Sequence, residues 1–242
     1  MIRKFLNKYN ALSVQVKATA WFFVCAVLQR GISTITTPIF TRLLSTAEYG
    51  QFSTFNSWLS IIQIIVTLQL CGGVYTMGIV KFKDEEKVFT SSLQGLNLVL
   101  CVSWTVIYLL FHDFWNSLFS LTTVQMLAML LMIWSSAAFN FWMTTQRNRF
   151  QYRALVTVTL IVSILKPVVG ILLVIHSQDK VTARIVGLAV VEVICYTGFF
   201  FVQMREGKNF FQQNSGSMRF CLIFHCCRII SPIQYFQARI EL

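Results

Sequence analysis

Long apolar segments of about 20 residues alternate along the chain with short segments that hold most of the charged residues. About 20 helical residues, rising 1.5 Å each, cross the roughly 30 Å hydrocarbon core of a bilayer. The pattern therefore predicts an all-α membrane protein, a bundle of about six transmembrane helices. The predicted spans are Ala18–Phe40, Phe52–Val74, Val88–Phe111, Leu121–Met143, Leu155–Ile175 and Ile185–Met204.

The composition excludes a water-soluble fold. Of 242 residues, 56% are hydrophobic and only 12% are charged, against roughly 25% charged residues in typical soluble domains. The first apolar stretch has about 23 residues and no small-residue cleavage pattern, so it is interpreted as a retained span rather than a signal peptide. The net charge of +11 does not predict nucleic-acid binding, because the cations cluster between the spans.

The distribution of these cations predicts the orientation. Lys and Arg accumulate on the cytoplasmic side of membrane proteins, and the connecting segments alternate between many and few of them. Twelve are on the predicted inner side: Arg3, Lys4, Lys8, Lys17, Lys81, Lys83, Lys87, Arg147, Arg149, Arg153, Arg205 and Lys208. Three are on the outer side: Arg42, Lys180 and Arg184. We therefore expect a cytoplasmic N-terminus.

Three charged residues lie inside the predicted spans: Arg30, Lys166 and Glu192. Each is placed roughly 10 to 15 Å from the outer end of its span, at 1.5 Å per residue. Charged groups at this depth are costly and usually face a bundle interior or a wet cavity. Two interpretations stay open for Lys166 and Glu192: a structural ion pair between neighbouring helices, or a substrate-binding lysine with an acid that takes part in ion coupling. Arg30 is a candidate ligand contact, with snorkelling as the alternative.

Other polar and helix-bending residues accompany these charges. Pro167 follows Lys166 and predicts a bend in span 5, which either has a gating role or reflects packing alone. Five amides lie within or beside the spans: Gln29, Gln63, Gln69, Gln94 and Asn97. They suit either a hydrophilic path for sugar hydroxyls or hydrogen bonds between helices.

No motif predicts an enzyme, a cofactor or a metal site. The chain lacks a glycine-rich phosphate loop, a Gly-x-Ser-x-Gly sequence and a His-Glu-x-x-His sequence. His112 and Asp113 are interpreted as solvated residues of a short outer loop. Cys221, Cys226 and Cys227 do not have zinc-ligand spacing, and the cysteines within the spans are interpreted as packing residues.

Three sequence stretches near the end of the first span resemble a known family. They are Leu28–Ser33 (Leu-Gln-Arg-Gly-Ile-Ser), Thr37–Ser45 (Thr-Pro-Ile-Phe-Thr-Arg-Leu-Leu-Ser) and Glu48–Phe52 (Glu-Tyr-Gly-Gln-Phe). This pattern resembles the polysaccharide transporters of the multidrug/oligosaccharidyl-lipid/polysaccharide exporter superfamily, the Wzx-type O-antigen flippases. We interpret Pro38 as the end of the first helix and Tyr49-Gly50 as the turn into the second.

The resemblance implies a function. Such proteins carry undecaprenyl-pyrophosphate-linked oligosaccharides across the bacterial inner membrane, a step of lipopolysaccharide biosynthesis. The implied partners are this lipid-linked oligosaccharide, membrane lipids and other membrane proteins of polysaccharide assembly, with no nucleic acid. Arg30 matches a position where the family commonly has a basic residue, and a cationic cavity suits a pyrophosphate.

The resemblance leaves alternatives and one departure. The alternatives are a related exporter of another cargo, such as a drug or a peptidoglycan precursor, a membrane enzyme of polysaccharide assembly, and a membrane scaffold. Family members have two bundles of six helices, whereas residues 1–208 correspond to the first bundle only. Residues 209–242 do not resemble a seventh span, and we interpret them as a divergent tail, with a frameshift as the hypothesis for its origin.

Overall fold

A computed structural model describes residues 13–81 and 86–206. Within these ranges the chain is helical and contains no strand. The helices are α1 (Val14–Leu43), α2 (Thr46–Thr67), a π-helical turn (Cys71–Tyr75), α3 (Thr76–Lys81), α4 (Glu86–Leu110), α5 (His112–Phe119), α6 (Thr123–Asn148), α7 (Tyr152–His176) and α8 (Lys180–Glu206).

Five of these helices are long and apolar enough to cross a membrane, and a sixth span is formed if α2 and the bent segment after it are counted together. The predicted all-α membrane bundle is therefore confirmed. Consecutive spans run in opposite directions. At the end where α1 begins, called here the N side, Arg149 at the end of α6 contacts Glu86 at the start of α4 at 3.0 Å. At the opposite end, the far side, the Lys180 Nζ of α8 donates to the Leu43 carbonyl of α1 at 3.0 Å.

The second span is broken, whereas the sequence predicted one continuous helix over Phe52–Val74. Helix α2 ends at Thr67, and Leu68 and Gln69 adopt left-handed φ angles of 48° and 50°. The segment Cys71–Lys81, formed by the π-helical turn and α3, then continues at an angle of 62° to α2. Left-handed residues other than glycine cost about 1–2 kcal/mol each, so packing must hold this break. Tyr75 supplies such packing, since its buried hydroxyl lies 2.8 Å from Thr90 Oγ1 and 2.7 Å from Thr145 Oγ1.

The connections on the far side also differ from the predictions. Pro38 lies inside α1, which continues to Leu43, so it does not end the first helix. The second helix starts earlier than expected, because Ser45 and Glu48 form a reciprocal capping box at its N-terminus. Tyr49-Gly50 is therefore helical rather than a turn. The predicted loop around His112 is the short helix α5.

Helix α6 has the largest buried share among the candidate spans, and it packs closely against α8, which packs in turn against α7. Glycine permits the α7–α8 contact. A Cβ on Gly187 would lie 3.3 Å from the Gly170 backbone, tighter than side chains normally approach. Helix α1 packs mainly on α7 and keeps most of its surface exposed.

Candidate functional site

Lys166 of α7 and Glu192 of α8 form an ion pair inside the bundle. The Lys166 Nζ lies 2.6 Å from Glu192 Oε1, and the two side chains are 28% and 9% exposed. The ammonium group also lies 5.8 Å from the centre of the Tyr196 ring, within cation–π range. Of the two interpretations left open by the sequence, this geometry corresponds to the ion pair, and Lys166 stays partly exposed.

A second polar contact lies next to this pair. The Gln29 Nε2 of α1 donates to Ser163 Oγ of α7 at 3.0 Å, and Ser163 precedes Lys166 by three residues, about one helical turn. Helices α1, α7 and α8 are therefore joined by polar side chains at one level of the bundle. The sequence predicted a shared depth for the charged residues and gave the Lys166–Glu192 pair as one interpretation, but it did not predict the contact of Gln29 with Ser163.

Arg30 follows Gln29 but is directed elsewhere. Its side chain is exposed, and in the part of the chain that the structure describes it has no ion pair. The structure therefore brings Lys166 and Glu192 together but does not bring Arg30 into contact with them. An exposed guanidinium in mid-helix cannot face lipid without a large cost, so it requires water, a headgroup or another polar surface.

Exposed polar residues extend along α1 and α2 at helical spacing. On α1 they are Arg30, Ser33, Thr34, Thr37 and Thr41, and on α2 they are Ser53, Asn56, Ser57 and Ser60. Several hydroxyls donate to carbonyls of their own helix, as Thr34 does to Arg30 at 2.9 Å. Such hydroxyls are tolerated in lipid. The guanidinium of Arg30 and the side-chain amide of Asn56 differ from them, because neither donates a hydrogen bond to a carbonyl of the described helices. We call these two rows the polar face.

The five amides of the proposed hydrophilic path are divided among three places. Gln29 contacts α7, as described above. Gln94 is fully buried and donates to Gln203 Oε1 at 2.7 Å and to the Ala138 carbonyl at 3.2 Å, so it joins α4 to α8 and α6. Gln63, Gln69 and Asn97 line one cavity of about 240 Å³ at the break in the second span.

Arg184 was predicted to be an outer-loop cation, but it is buried within α8. Its guanidinium carbon lies 3.7 Å from the centre of the Phe40 ring and 3.5 Å from that of Phe52. Arginine stacks on aromatic faces in this way, and here it joins the end of α1 to the start of α2. Phe40 and Phe52 belong to the stretches that carry the family resemblance, but the sequence did not predict their arginine partner, which lies more than 130 residues away.

Asp179 caps the N-terminus of α8. It lies in the short segment between α7 and α8 and accepts the Thr182 backbone N–H at 3.1 Å through Oδ1. The hydrogen bonds from Thr182 lower the pKa of Asp179 below its usual value. An anion at the N-terminus of α8 is favoured by the free N–H groups and dipole of that helix.

The helical bundle and its internal ion pair define a polytopic membrane protein with a polar interior. Residues 15–233 match the model of a family described as polysaccharide biosynthesis protein, and the chain belongs to this family. No curated protein and no solved structure matches the chain. The family match reaches residue 233 and so includes most of the tail set apart at 209–242. That tail lies outside the described residues, and its out-of-frame origin stays a prediction.

Proposed function

We propose that this protein is a flippase, which moves undecaprenyl-pyrophosphate-linked O-antigen or other polysaccharide repeat units across the bacterial inner membrane. Membership of a polysaccharide biosynthesis family and the multi-pass fold support this proposal. The observation that carries it is the exposed, unpaired Arg30 within a membrane span. A guanidinium there suits an anionic lipid-linked cargo, because it binds phosphate oxygens through paired hydrogen bonds.

In this proposal the cationic residues have different roles. Arg30 attracts the pyrophosphate first, since no acid of the described chain neutralises it. Lys166 is held by Glu192 at 2.6 Å and becomes available to an anion only when Glu192 moves away from it. Binding of the cargo and the position of Glu192 would thereby be coupled. Translocation of this kind forms and breaks no covalent bond, so we propose a transporter rather than an enzyme.

The proposed orientation follows the cation distribution, and the proposed membrane follows from the family resemblance. The N side faces the cytoplasm, the membrane is the inner membrane, and other membrane proteins of polysaccharide assembly supply and receive the cargo. The polar face of α1 and α2 forms one wall of the path, and the resemblance to two-bundle exporters implies that a second bundle forms the opposite wall.

Complementation tests the role of Arg30. A flippase-deficient strain that produces the cognate repeat unit should recover surface polysaccharide with the wild-type gene. Arg30→Ala should reduce recovery at least tenfold, and Arg30→Lys should retain part of it. Arg42→Ala removes an exposed cation from the end of α1 and serves as the matched control with unchanged recovery. Equal recovery with Arg30→Ala and Arg42→Ala, at equal protein levels, would contradict the proposed pyrophosphate contact.

A further inference from the structure

A polar cavity of about 240 Å³ lies where the second span breaks. Its walls come from the end of α2, the segment 69–71, α4 and α6. The polar side chains in its lining are Ser60, Gln63, Thr67, Gln69, Asn97 and Asn140. None of these six is charged, and each combines a hydrogen-bond donor with an acceptor.

Asn97 is a buried residue of this cavity whose amide group lacks hydrogen-bond partners among the described residues. Its side chain is 1% exposed, and neither Nδ2 nor Oδ1 has a hydrogen-bond partner among the described residues. A buried polar atom without a partner is destabilising, so an amide with two such atoms, at the wall of a polar cavity, indicates that a ligand or water completes it. The left-handed backbone of Leu68 and Gln69 adds local strain beside the same cavity, a feature that clusters at ligand sites.

The chemistry of Asn97 distinguishes two classes of ligand. A bare cation would satisfy Oδ1 and leave Nδ2 unpaired, and the lining offers no carboxylate to balance its charge. A hydroxyl group accepts from Nδ2 and donates to Oδ1 of the same or a neighbouring amide. The mixture of amides and hydroxyls therefore favours a ligand that is itself rich in hydroxyl groups.

The cavity lies at a different level from the Lys166–Glu192 pair. Asn97 is 11 residues after the start of α4, and Lys166 is 14 residues after the start of α7. At 1.5 Å per residue these positions are about 16 Å and about 21 Å from the N side. A cationic subsite and an uncharged hydrogen-bonding subsite thus occupy neighbouring levels of one bundle.

We propose that this cavity binds the saccharide portion of the cargo, with the Asn97 amide donating to and accepting from sugar hydroxyls. This inference rests on the proposed flippase function, and it assigns sugar recognition to the break in the second span rather than to the charged residues. Gln63, about one helical turn before the break, and Gln69, within it, would supply further hydrogen bonds from the same cavity.

Binding of two lipids to the purified full chain in nanodiscs tests the proposal. The probes are undecaprenyl pyrophosphate and the same lipid carrying N-acetylglucosamine, and the readout is the dissociation constant of each. The wild type should bind the sugar-bearing probe more tightly. Asn97→Leu should abolish this preference by weakening the sugar-bearing probe about tenfold, because a pair of hydrogen bonds is lost, with the bare lipid unaffected. Arg30→Gln should weaken both probes alike.

The possible failures differ from one another. Equal binding of both probes by the wild type would overturn the sugar site and leave the flippase proposal standing. Failure of the wild type to bind either probe would overturn both proposals. An Asn97→Leu variant that weakens both probes equally would assign Asn97 a structural role and overturn the sugar site. If tighter binding of the sugar-bearing probe requires sodium and vanishes in potassium, the cavity is a cation site and the sugar site is overturned. The variant should fold, since it replaces an unpaired buried amide with an apolar group of similar size.

Discussion

At the scale of single residues, the Lys166–Glu192 pair shows how the bundle accommodates charge. Each group alone would be costly in hydrocarbon, but at 2.6 Å the two neutralise each other. Glu192 is almost fully buried and Lys166 is about a quarter exposed, so the acid depends more on its partner. The pair also fixes the rotation of α7 against α8, since both groups must point into the same interface.

Removing one partner of this pair should destabilise the protein. We expect Glu192→Gln to lower the free energy of unfolding by about 3 kcal/mol, the low end for a buried ion pair, because Lys166 retains some exposure. Unfolding in sodium dodecyl sulfate measures this change.

The double variant Lys166→Met/Glu192→Leu is the control, because it replaces the pair with apolar groups. It should be close to the wild type in stability, as replacement of buried ion pairs often is. If the double variant is as unstable as the single one, the loss of stability does not come from an unpaired Lys166, and the proposed role of the ion pair is contradicted.

At the scale of helices, two contacts position the helices around the polar face. Arg184 lies between Phe40 and Phe52 and ties α8 to the α1–α2 connection. Next to this contact, Gly170 and Gly187 let α7 and α8 approach at backbone distance. The arginine contact orients α1 and α2, and the glycine contact brings Lys166 within reach of Glu192.

Arg184→Lys should loosen the connection between α1 and α2. Lysine keeps the charge but cannot stack a planar group between two rings, so hydrogen exchange in residues 43–50 should become faster. Arg42→Lys, which changes an exposed cation of the same region, should leave the exchange unchanged. Identical exchange in both variants would contradict the role given to Arg184.

Two glycines of α8 should respond oppositely to alanine. Gly198→Ala meets no atom within 4 Å and should stabilise the protein by up to about 1 kcal/mol through helix propensity. Gly187→Ala gains the same propensity but pushes against Leu173 Cδ1 at 3.1 Å and the Gly170 backbone, so it should destabilise. Free energies of unfolding measured side by side test the sign, and stabilisation by both would contradict the close α7–α8 approach.

At the scale of the whole molecule, the alternation of cations predicts which ends of the helices face the cytoplasm. In a variant without native cysteines, Ser177→Cys and Gln151→Cys place single thiols at opposite ends of α7. A membrane-impermeant maleimide should label Ser177→Cys in intact cells with a permeable outer membrane. It should label Gln151→Cys only after the inner membrane is opened, and the reverse pattern would contradict a cytoplasmic N-terminus.

The length of the apolar segments predicted the helical membrane bundle and located the spans, since the hydrocarbon thickness imposes a minimum run of apolar residues on any helix that crosses it. The same length rule placed Lys166 and Glu192 at one depth. It did not predict the break after Thr67, because apolar residues continue through Leu68 and Leu70 and no proline marks the site. Tyr75, which follows the break, contacts Thr90 of α4 and Thr145 of α6, and the second of these partners is 70 residues away in sequence.

The sequence by itself therefore determined the class of fold, the approximate spans and the charged residues within them, because the number of apolar residues needed to cross the hydrocarbon core does not depend on how the helices pack. Only the tertiary structure decided which of those residues meet. It paired Lys166 with Glu192, left Arg30 exposed, placed Arg184 between two aromatic rings and gathered Gln63, Gln69 and Asn97 around one cavity. Each of these outcomes depends on how one helix is rotated against another, and that rotation is fixed by packing between segments far apart in the chain.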